Sequence, residues 1–150
     1  MRLEVANKDN PRKGSDFEGI AFALFARRNL MLERHFTVEV GAGPQKRPHK
    51  FDLGCCTPPT LVECKSHTWT AGGNAPSAKL TVWNEAMYYF ACAPTQFRMI
   101  LFVLRDEKAG KTLAAHYVSR YGHLIPQGVE IWEYDTSARE VSRVYRGPNG

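Results

Sequence analysis

Apolar residues recur every three or four positions from Phe17 to Phe25, and at every second position from Phe36 to Val40. The first pattern predicts a helix from Asp16 to about Met31, and the second predicts a strand over residues 36–40. The helical positions are Phe17, Ile20, Ala21, Leu24 and Phe25. The chain therefore begins its folded part with an amphipathic helix that leads into short strands.

Further patterns extend this order along the chain. Strands are predicted at residues 51–53, 60–66, 97–104 and 129–134. Helices are predicted at residues 77–93, with Ser77 as the cap, and at 112–121, where the pattern is ambiguous. Loops, turns or frayed segments are predicted at residues 7–14, 45–50, 54–59, 68–77, 106–111 and 147–150. The order of helix, three-stranded meander, helix and strand predicts an α/β sandwich on a mixed sheet flanked by helices, as a single domain over residues 1–150.

Composition narrows the class of protein further. A length of 150 residues suits one domain with a real core. No apolar run approaches the roughly 20 residues that span a bilayer, and residues 1–7 lack a secretory pattern, so we expect a cytoplasmic protein without a membrane partner. The four cysteines form no CxxC pair and are expected to be reduced thiols, so a zinc site is only weakly indicated. The net charge of +5 favours a polyanionic partner.

Two of the predicted strands carry charged groups beside apolar ones. Alternation places Phe51 and Leu53 on the opposite face from Asp52. On the next strand, Glu63 and Lys65 share a face, about 7 Å apart along the strand. An antiparallel turn between the strands would bring Asp52 next to Glu63.

Such a cluster has a chemical and a plain interpretation. Two converging carboxylates can hold Mg²⁺, which polarises a phosphoryl oxygen and lowers the pKa of a bound water. Lys65 would then position the attacking water or stabilise the charge that develops on phosphorus. The alternative is an exposed cross-strand ion pair, which contributes only a fraction of a kcal/mol.

The spacing resembles a known motif. Asp52, ten intervening residues and then Glu63-Cys64-Lys65 resemble the core motif of the PD-(D/E)XK nuclease superfamily, which has the restriction-endonuclease-like fold. The order of elements over about residues 15–104 is similar to that family's core. The resemblance implies that Asp52 and Glu63 are metal ligands, that the backbone carbonyl of Cys64 is a further ligand, and that Lys65 is the catalytic lysine.

Glu18 has two competing interpretations. Many family members carry a glutamate on the first helix that reaches the metal site, and Glu18 matches that position. Ser15-Asp16-Phe17-Glu18 is also a capping box, in which Glu18 would bind the Ser15 amide instead. The sequence departs from the family pattern at Phe51, where a proline commonly precedes the aspartate.

Other residues receive weaker predictions. Asp106-Glu107-Lys108 repeats the acidic–any–lysine pattern but follows an apolar strand, so it is expected to be a solvated loop. Residues predicted to contact nucleic acid, with a merely solubilising surface as the alternative, are Lys46, Arg47, Lys50, Trp69 and Lys79. Residues predicted to lie on the buried side of the second helix are Leu80, Trp83, Met87, Tyr88 and Ala91. No role follows from the spacing of His49, His67, His116 and His123.

The sequence thus predicts a Mg²⁺-dependent endonuclease that hydrolyses DNA, with Mn²⁺ as a substitute and no covalent intermediate. A restriction-like or phage- or mobile-element-associated role fits a compact chain, and a homodimer would supply two active sites for cutting both strands. A repair or junction-resolving nuclease on the same fold and a non-catalytic nucleic-acid-binding subunit are the alternatives. DNA is the expected partner, and the sequence does not separate it from RNA.

Overall fold

The computed structural model describes the backbone of residues 2–147 and the side chains of residues 14 and 16–147. The helices are α1 (Arg2–Arg27), α2 (Ser77–Cys92) and α3 (Leu113–Tyr121), and a 3₁₀ turn follows at Gly122–Leu124. The strands are β1 (Glu33–Val40), β2 (Arg47–Cys56), β3 (Pro59–Lys65), β4 (Arg98–Leu104), β5 (Glu107–Lys108), β6 (Lys111–Thr112), β7 (Glu130–Asp135) and β8 (Glu140–Arg146).

Six strands form one mixed sheet in the order β1-β2-β3-β4-β7-β8. The first three are an antiparallel meander, β4 and β7 run parallel to β3, and β8 returns antiparallel to β7. Strands β5 and β6 pair separately as a small hairpin. The prediction of an α/β fold with a mixed sheet and a three-stranded meander is therefore confirmed.

Helices cover both faces of this sheet. Helix α1 packs on one face through Phe17, Ala21, Leu24 and Phe25, and helices α2 and α3 pack on the other. Strand β4 is buried on both sides, because Ile100 and Phe102 belong to the α1 face and Leu101 and Val103 to the α2 face. This is the environment that its continuous apolar run predicts.

Helix α1 is longer than predicted at its N-terminal end. It begins at Arg2, so the loop predicted over residues 7–14 is wrong. The backbone continues as a helix through Pro11, although a proline inside a helix removes one hydrogen bond and crowds the carbonyl four residues before it. Ser15 therefore lies inside α1, which excludes it as the helix cap.

The other end of α1 falls before the predicted Met31. The amide of Leu30 donates to the carbonyl of Phe25 and the amide of Asn29 donates to Ala26, while Asn29 adopts a φ of 64°. These two bonds around a left-handed residue are the Schellman pattern that ends helices. The helix therefore stops at Arg27.

Several other boundaries also differ from the predictions. Strand β2 takes in Arg47 to Lys50 and Gly54 to Cys56, which were predicted as loop and turn, because they pair with β1 and β3. The predicted polar turn at 106–111 contains the β5–β6 hairpin, and β8 was not predicted. The N-cap of α2 is Pro76 instead of Ser77, and Tyr88 is 64% exposed instead of buried. The buried side of α2 is completed by Ala86 and Phe90.

Strand β2 does not alternate as predicted around Asp52. Phe51 packs in the α2-side core, whereas Leu53 packs in the α1-side core, so the two are not on one face. The register between β1 and β2 passes from Arg34↔Leu53 to Phe36↔Phe51 and omits the pair in between. The omitted residue of β1, His35, has a φ of 55°, so the pleat is interrupted opposite Asp52.

All four cysteines are free thiols, and none of the described side chains forms a three-ligand metal group with them. Over residues 2–147, no helix is long and apolar enough to cross a membrane.

Candidate functional site

Asp52 and Glu63 lie where strands β2 and β3 separate. The last paired residues of the two strands at this end are Leu53 and Val62, and each acid is the next residue beyond that pair. Beyond that point, side chains replace the ladder bonds: the amide of Asp52 donates to Glu63 Oε1 at 3.3 Å, and the amide of Cys64 donates to Asp52 Oδ2 at 2.8 Å. The two carboxyl groups are thus held side by side by the backbone of the opposite strand.

Lys65 supplies a positive charge beside this pair. Its Nζ lies 3.9 Å from Glu63 Oε2, and its side chain is 18% exposed. An exposed cross-strand ion pair does not describe the arrangement, because Glu63 is only 8% exposed and its lysine is on the same strand. Asp52, Glu63 and Lys65 therefore form one partly buried cluster, as their spacing predicts.

Glu18 reaches this cluster from helix α1. Its carboxyl group lies close enough to the carboxyl of Asp52 for the charge of Asp52 to raise the pKa of Glu18. The capping alternative is excluded, because Ser15 is an interior residue of the helix. Arg34 lies close enough to lower the pKa of Glu18, and its guanidinium passes Gly19, where an added Cβ would be 3.1 Å from Nη2.

Glu63 and Glu18 bind protons more tightly than ordinary carboxyl groups. Burial, followed by the charge of Asp52, raises the pKa of Glu63 to about 8. Burial and the charge and hydrogen bond of Asp52 raise the pKa of Glu18 to about 7. Burial beside the same acids also raises the pKa of the Cys64 thiol. The positive charge of Lys65 lowers the pKa of all three groups, but this effect is smaller than the combined effect of burial and the neighbouring acids.

The side chains alone do not form a closed metal site. Among residues 14 and 16–147, no group of three or more His, Cys, Asp or Glu side chains could hold a metal ion. The carboxyl groups of Asp52 and Glu63 lie side by side in the cluster, so an ion held by them would take most of its ligands from elsewhere, such as water or a bound anion.

No role was predicted for His67, which lies next to this cluster. Its Nδ1 accepts a 2.8 Å hydrogen bond from the indole of the fully buried Trp83. Burial and the charges of Lys65 and Lys79 lower the pKa of His67 to about 4. The ring is therefore neutral at pH 7, with its remaining proton on Nε2. Only the proximity of His67 to the motif in sequence, two residues after Lys65, could have suggested this.

His49 was also assigned no role, and it lies on strand β2 near the same acids. Its ring stacks on Tyr89 of α2, with centroids 3.6 Å apart. Burial lowers the pKa of His49, while the charges of Asp52 and Glu85 raise it. The stacking on Tyr89 accounts for the position of His49. The alternation of apolar and polar residues along β2 could not have predicted this contact.

The residues predicted to contact nucleic acid fall into two separate groups. Lys46, Arg47 and Lys50 are exposed on the β1–β2 hairpin, and the Nζ of Lys46 donates to the carbonyl of Gly41. Arg47 is about 17 Å along the strand from Asp52. Trp69 and Lys79 instead lie beside the motif, in the loop after β3 and on α2.

Trp69 fixes the loop that follows the motif. Its backbone amide donates to Asp106 Oδ2 at 2.7 Å, and its indole donates to the carbonyl of Asp106 at 3.0 Å. The second acidic–any–lysine sequence thus contributes a structural anchor, while its Glu107 and Lys108 are exposed as predicted. The described contacts give this second sequence no partner aspartate of the kind that Glu63 has in Asp52.

Searches for similar proteins found no match: no protein-family model, no curated protein and no solved structure is similar to this chain.

Proposed function

We propose that this chain is a metal-dependent deoxyribonuclease built on a restriction-endonuclease-like core, and that Asp52, Glu63 and Lys65 carry its chemistry. The observation that supports this most directly is the pair of adjacent, mutually repelling carboxyl groups, one of them buried, beside one lysine where β2 and β3 separate. A structural ion pair has no need of two adjacent acids, whose repulsion weakens the fold. This loss of stability is explained if a cation that binds during function neutralises the two acids.

The donor set fits Mg²⁺. This ion keeps several waters and is usually bound through one or two carboxylates together with substrate phosphates. Asp52, Glu63 and the carbonyl of Cys64 would hold it, with water and substrate phosphate as the remaining ligands. When bound, the ion would supply Lewis-acid polarisation of the scissile phosphate and favour ionisation of an attacking water.

The protein's own residues have separable roles in this proposal. Lys65 lies close enough to Glu63 to orient an attacking water or to stabilise charge on the phosphoryl oxygens. The backbone amide of Cys64 fixes the rotamer of Asp52, so the carboxylate is already in position before substrate binds. Glu18, with a pKa of about 7, lies beside Asp52 and is available to exchange a proton near neutral pH.

DNA is proposed as the substrate because cationic side chains lie beside the two acids and the chain carries a net charge of +5. Positive charge of this kind favours a polyanionic partner. Lys65 and Lys79 both lie near His67, at the end of the sheet where the acids are found. One such site cuts one strand, so cleavage of both strands by this chain would require a homodimer.

The test is the nicking of supercoiled plasmid by purified protein in Mg²⁺ or Mn²⁺, with EDTA as the metal-free arm. We expect Lys65→Ala to reduce nicking by about 100-fold or more, which is the usual effect of removing one transition-state donor. The matched control is Lys108→Ala, because Lys108 stands in the same acidic–any–lysine pattern on an exposed hairpin. That variant should keep full activity.

Two results would overturn the proposal. Nicking that persists in Lys65→Ala would exclude this site as its source. DNA binding without cleavage in any divalent metal would favour the non-catalytic binding subunit. Circular dichroism of each variant establishes that a loss of activity does not reflect a loss of folding.

A further inference from the structure

A large cleft opens next to the candidate site. Its volume is about 940 Å³, which is at the upper end of the range for ligand pockets. It lies outside the carboxyl ends of the parallel strands β3 and β4, where Lys65 and Leu104 are the last residues. Ligands of open α/β sheets bind at such a crevice beyond the strand ends.

The lining of the cleft is apolar on its helices and cationic near the motif. Helix α1 contributes Phe17 and Ile20, and helix α2 contributes Val82. Lys65 and Lys79 supply positive charge, and both lie close enough to His67 to lower the pKa of its ring. Among the residues whose side chains the structure describes, two lysines and one carboxylate, that of Asp16, line the cleft.

The cleft is also held in shape before any ligand binds. Trp69 lines it, and both the amide and the indole of Trp69 are bonded to Asp106. His67 lines it as well, with its Nδ1 occupied by Trp83. At neutral pH, its Nε2–H is therefore the proton that His67 can donate to an acceptor in the cleft.

These features favour an unpaired strand over a duplex. In a duplex, the faces of the bases are stacked on one another, and a protein meets phosphates and groove edges. In a single strand, the base faces are exposed and bind aromatic and apolar side chains, while the phosphates bind cations. An amphipathic cleft beside Lys65 matches the second case.

We propose that this cleft binds a single-stranded segment of the nucleic acid next to the scissile phosphate. The inference rests on the proposed nuclease function and specifies its substrate class, namely DNA with an unpaired end or flap. Bases would lie against the apolar side chains of α1 and α2, and the adjoining phosphates against Lys65 and Lys79.

The test measures binding in EDTA, where no cleavage occurs, by fluorescence anisotropy of a labelled oligothymidylate and of a duplex of equal length. We expect wild-type protein to prefer the single strand. Val82→Asp, which puts an anion into the cleft at a 37% exposed position, should weaken single-strand binding about fivefold or more and affect duplex binding less. Val144→Asp is the matched control, because Val144 is 45% exposed on β8 and outside the cleft.

The outcomes separate this inference from the nuclease proposal. Equal or tighter binding of the duplex, no detectable binding of the oligothymidylate, or an equal effect of Val82→Asp and Val144→Asp would overturn the inference, even if plasmid nicking is intact. Single-strand binding that is sensitive to Val82→Asp would support the inference, even if no metal gives cleavage and the nuclease proposal fails.

Discussion

The amide of Cys64 donates a 2.8 Å hydrogen bond to Asp52 Oδ2, and this bond joins the two halves of the motif across the gap between β2 and β3. Asp52 therefore performs a structural function as well as the proposed chemical one. It satisfies a backbone donor that lost its ladder partner where the strands separate. The amide of Asp52 in turn donates to Glu63, so the position of each acid depends on the other's strand.

Glu63 is expected to make the metal-free protein less stable as pH rises. Its pKa is raised from 4.5 in the unfolded chain to about 8 in the folded one. Below 4.5 both states hold the proton, whereas between 4.5 and about 8 only the native state does, so the free energy of unfolding falls with pH across this window. Glu63→Gln removes the ionisation and should raise the free energy of unfolding near pH 8 by about 2–5 kcal/mol.

Urea denaturation in EDTA at about pH 5 and near pH 8 measures this effect. Glu107→Gln is the matched control, because Glu107 is exposed on the β5–β6 hairpin and should change stability little at either pH. The same pH dependence in wild type and Glu63→Gln would contradict the proposed ionisation of this group.

The motif was predictable because its position depends on local spacing. Ten residues between Asp52 and Glu63 suit a tight antiparallel connection, and the meander that results brings the two acids together. Alternation along β3 also held, since Leu61 packs on the α2 side and Val62 on the α1 side. Patterns of two and 3.6 residues could therefore predict most of the sheet, most helices and the positions of Asp52, Glu63 and Lys65.

Features set by contacts between distant residues could not be predicted in this way. Phe51 and Leu53 take opposite faces because the pleat breaks opposite His35, and nothing in the local pattern marks that break. The role of His67 depends on Trp83, sixteen positions away on another element. Strand β8 is exposed along most of its length, so it lacks the apolar alternation that would have indicated it.

His67 is expected to stabilise the fold as the acceptor for Trp83. In His67→Ala, the indole N–H of a fully buried tryptophan would lose its partner, at a cost of about 1–3 kcal/mol. The contribution of His67 also depends on pH. Because its pKa is lowered from 6.5 to about 4, the unfolded chain binds a proton in this window that the native state does not, so stability falls as pH drops through it.

Thermal or urea unfolding from about pH 4 to 7 would detect both effects. His67→Ala should be less stable than wild type at neutral pH, and its stability should decline less steeply as the pH is lowered. The control is His123→Ala, because His123 is exposed. Equal stability of His67→Ala and His123→Ala would show that the Trp83 bond does not stabilise the protein.

Gly54 permits the close approach of three segments in the meander. An added Cβ would lie 2.5 Å from Phe36 Cδ1 and 2.9 Å from the carbonyl oxygen of Thr60, so both the ring and the backbone of β3 would have to shift. Gly54→Ala should therefore destabilise the protein by about 1–3 kcal/mol, as overpacking of a core does. Gly43→Ala is the control, because nothing lies within 4 Å of the added Cβ in the β1–β2 hairpin. Urea denaturation compares the two variants, and a loss in Gly54→Ala no larger than that in Gly43→Ala would contradict this packing.

Since Asp52 is two residues before Gly54 on the same strand, we also expect the shift in β2 to lengthen the bond from the Cys64 amide and to lower nicking activity.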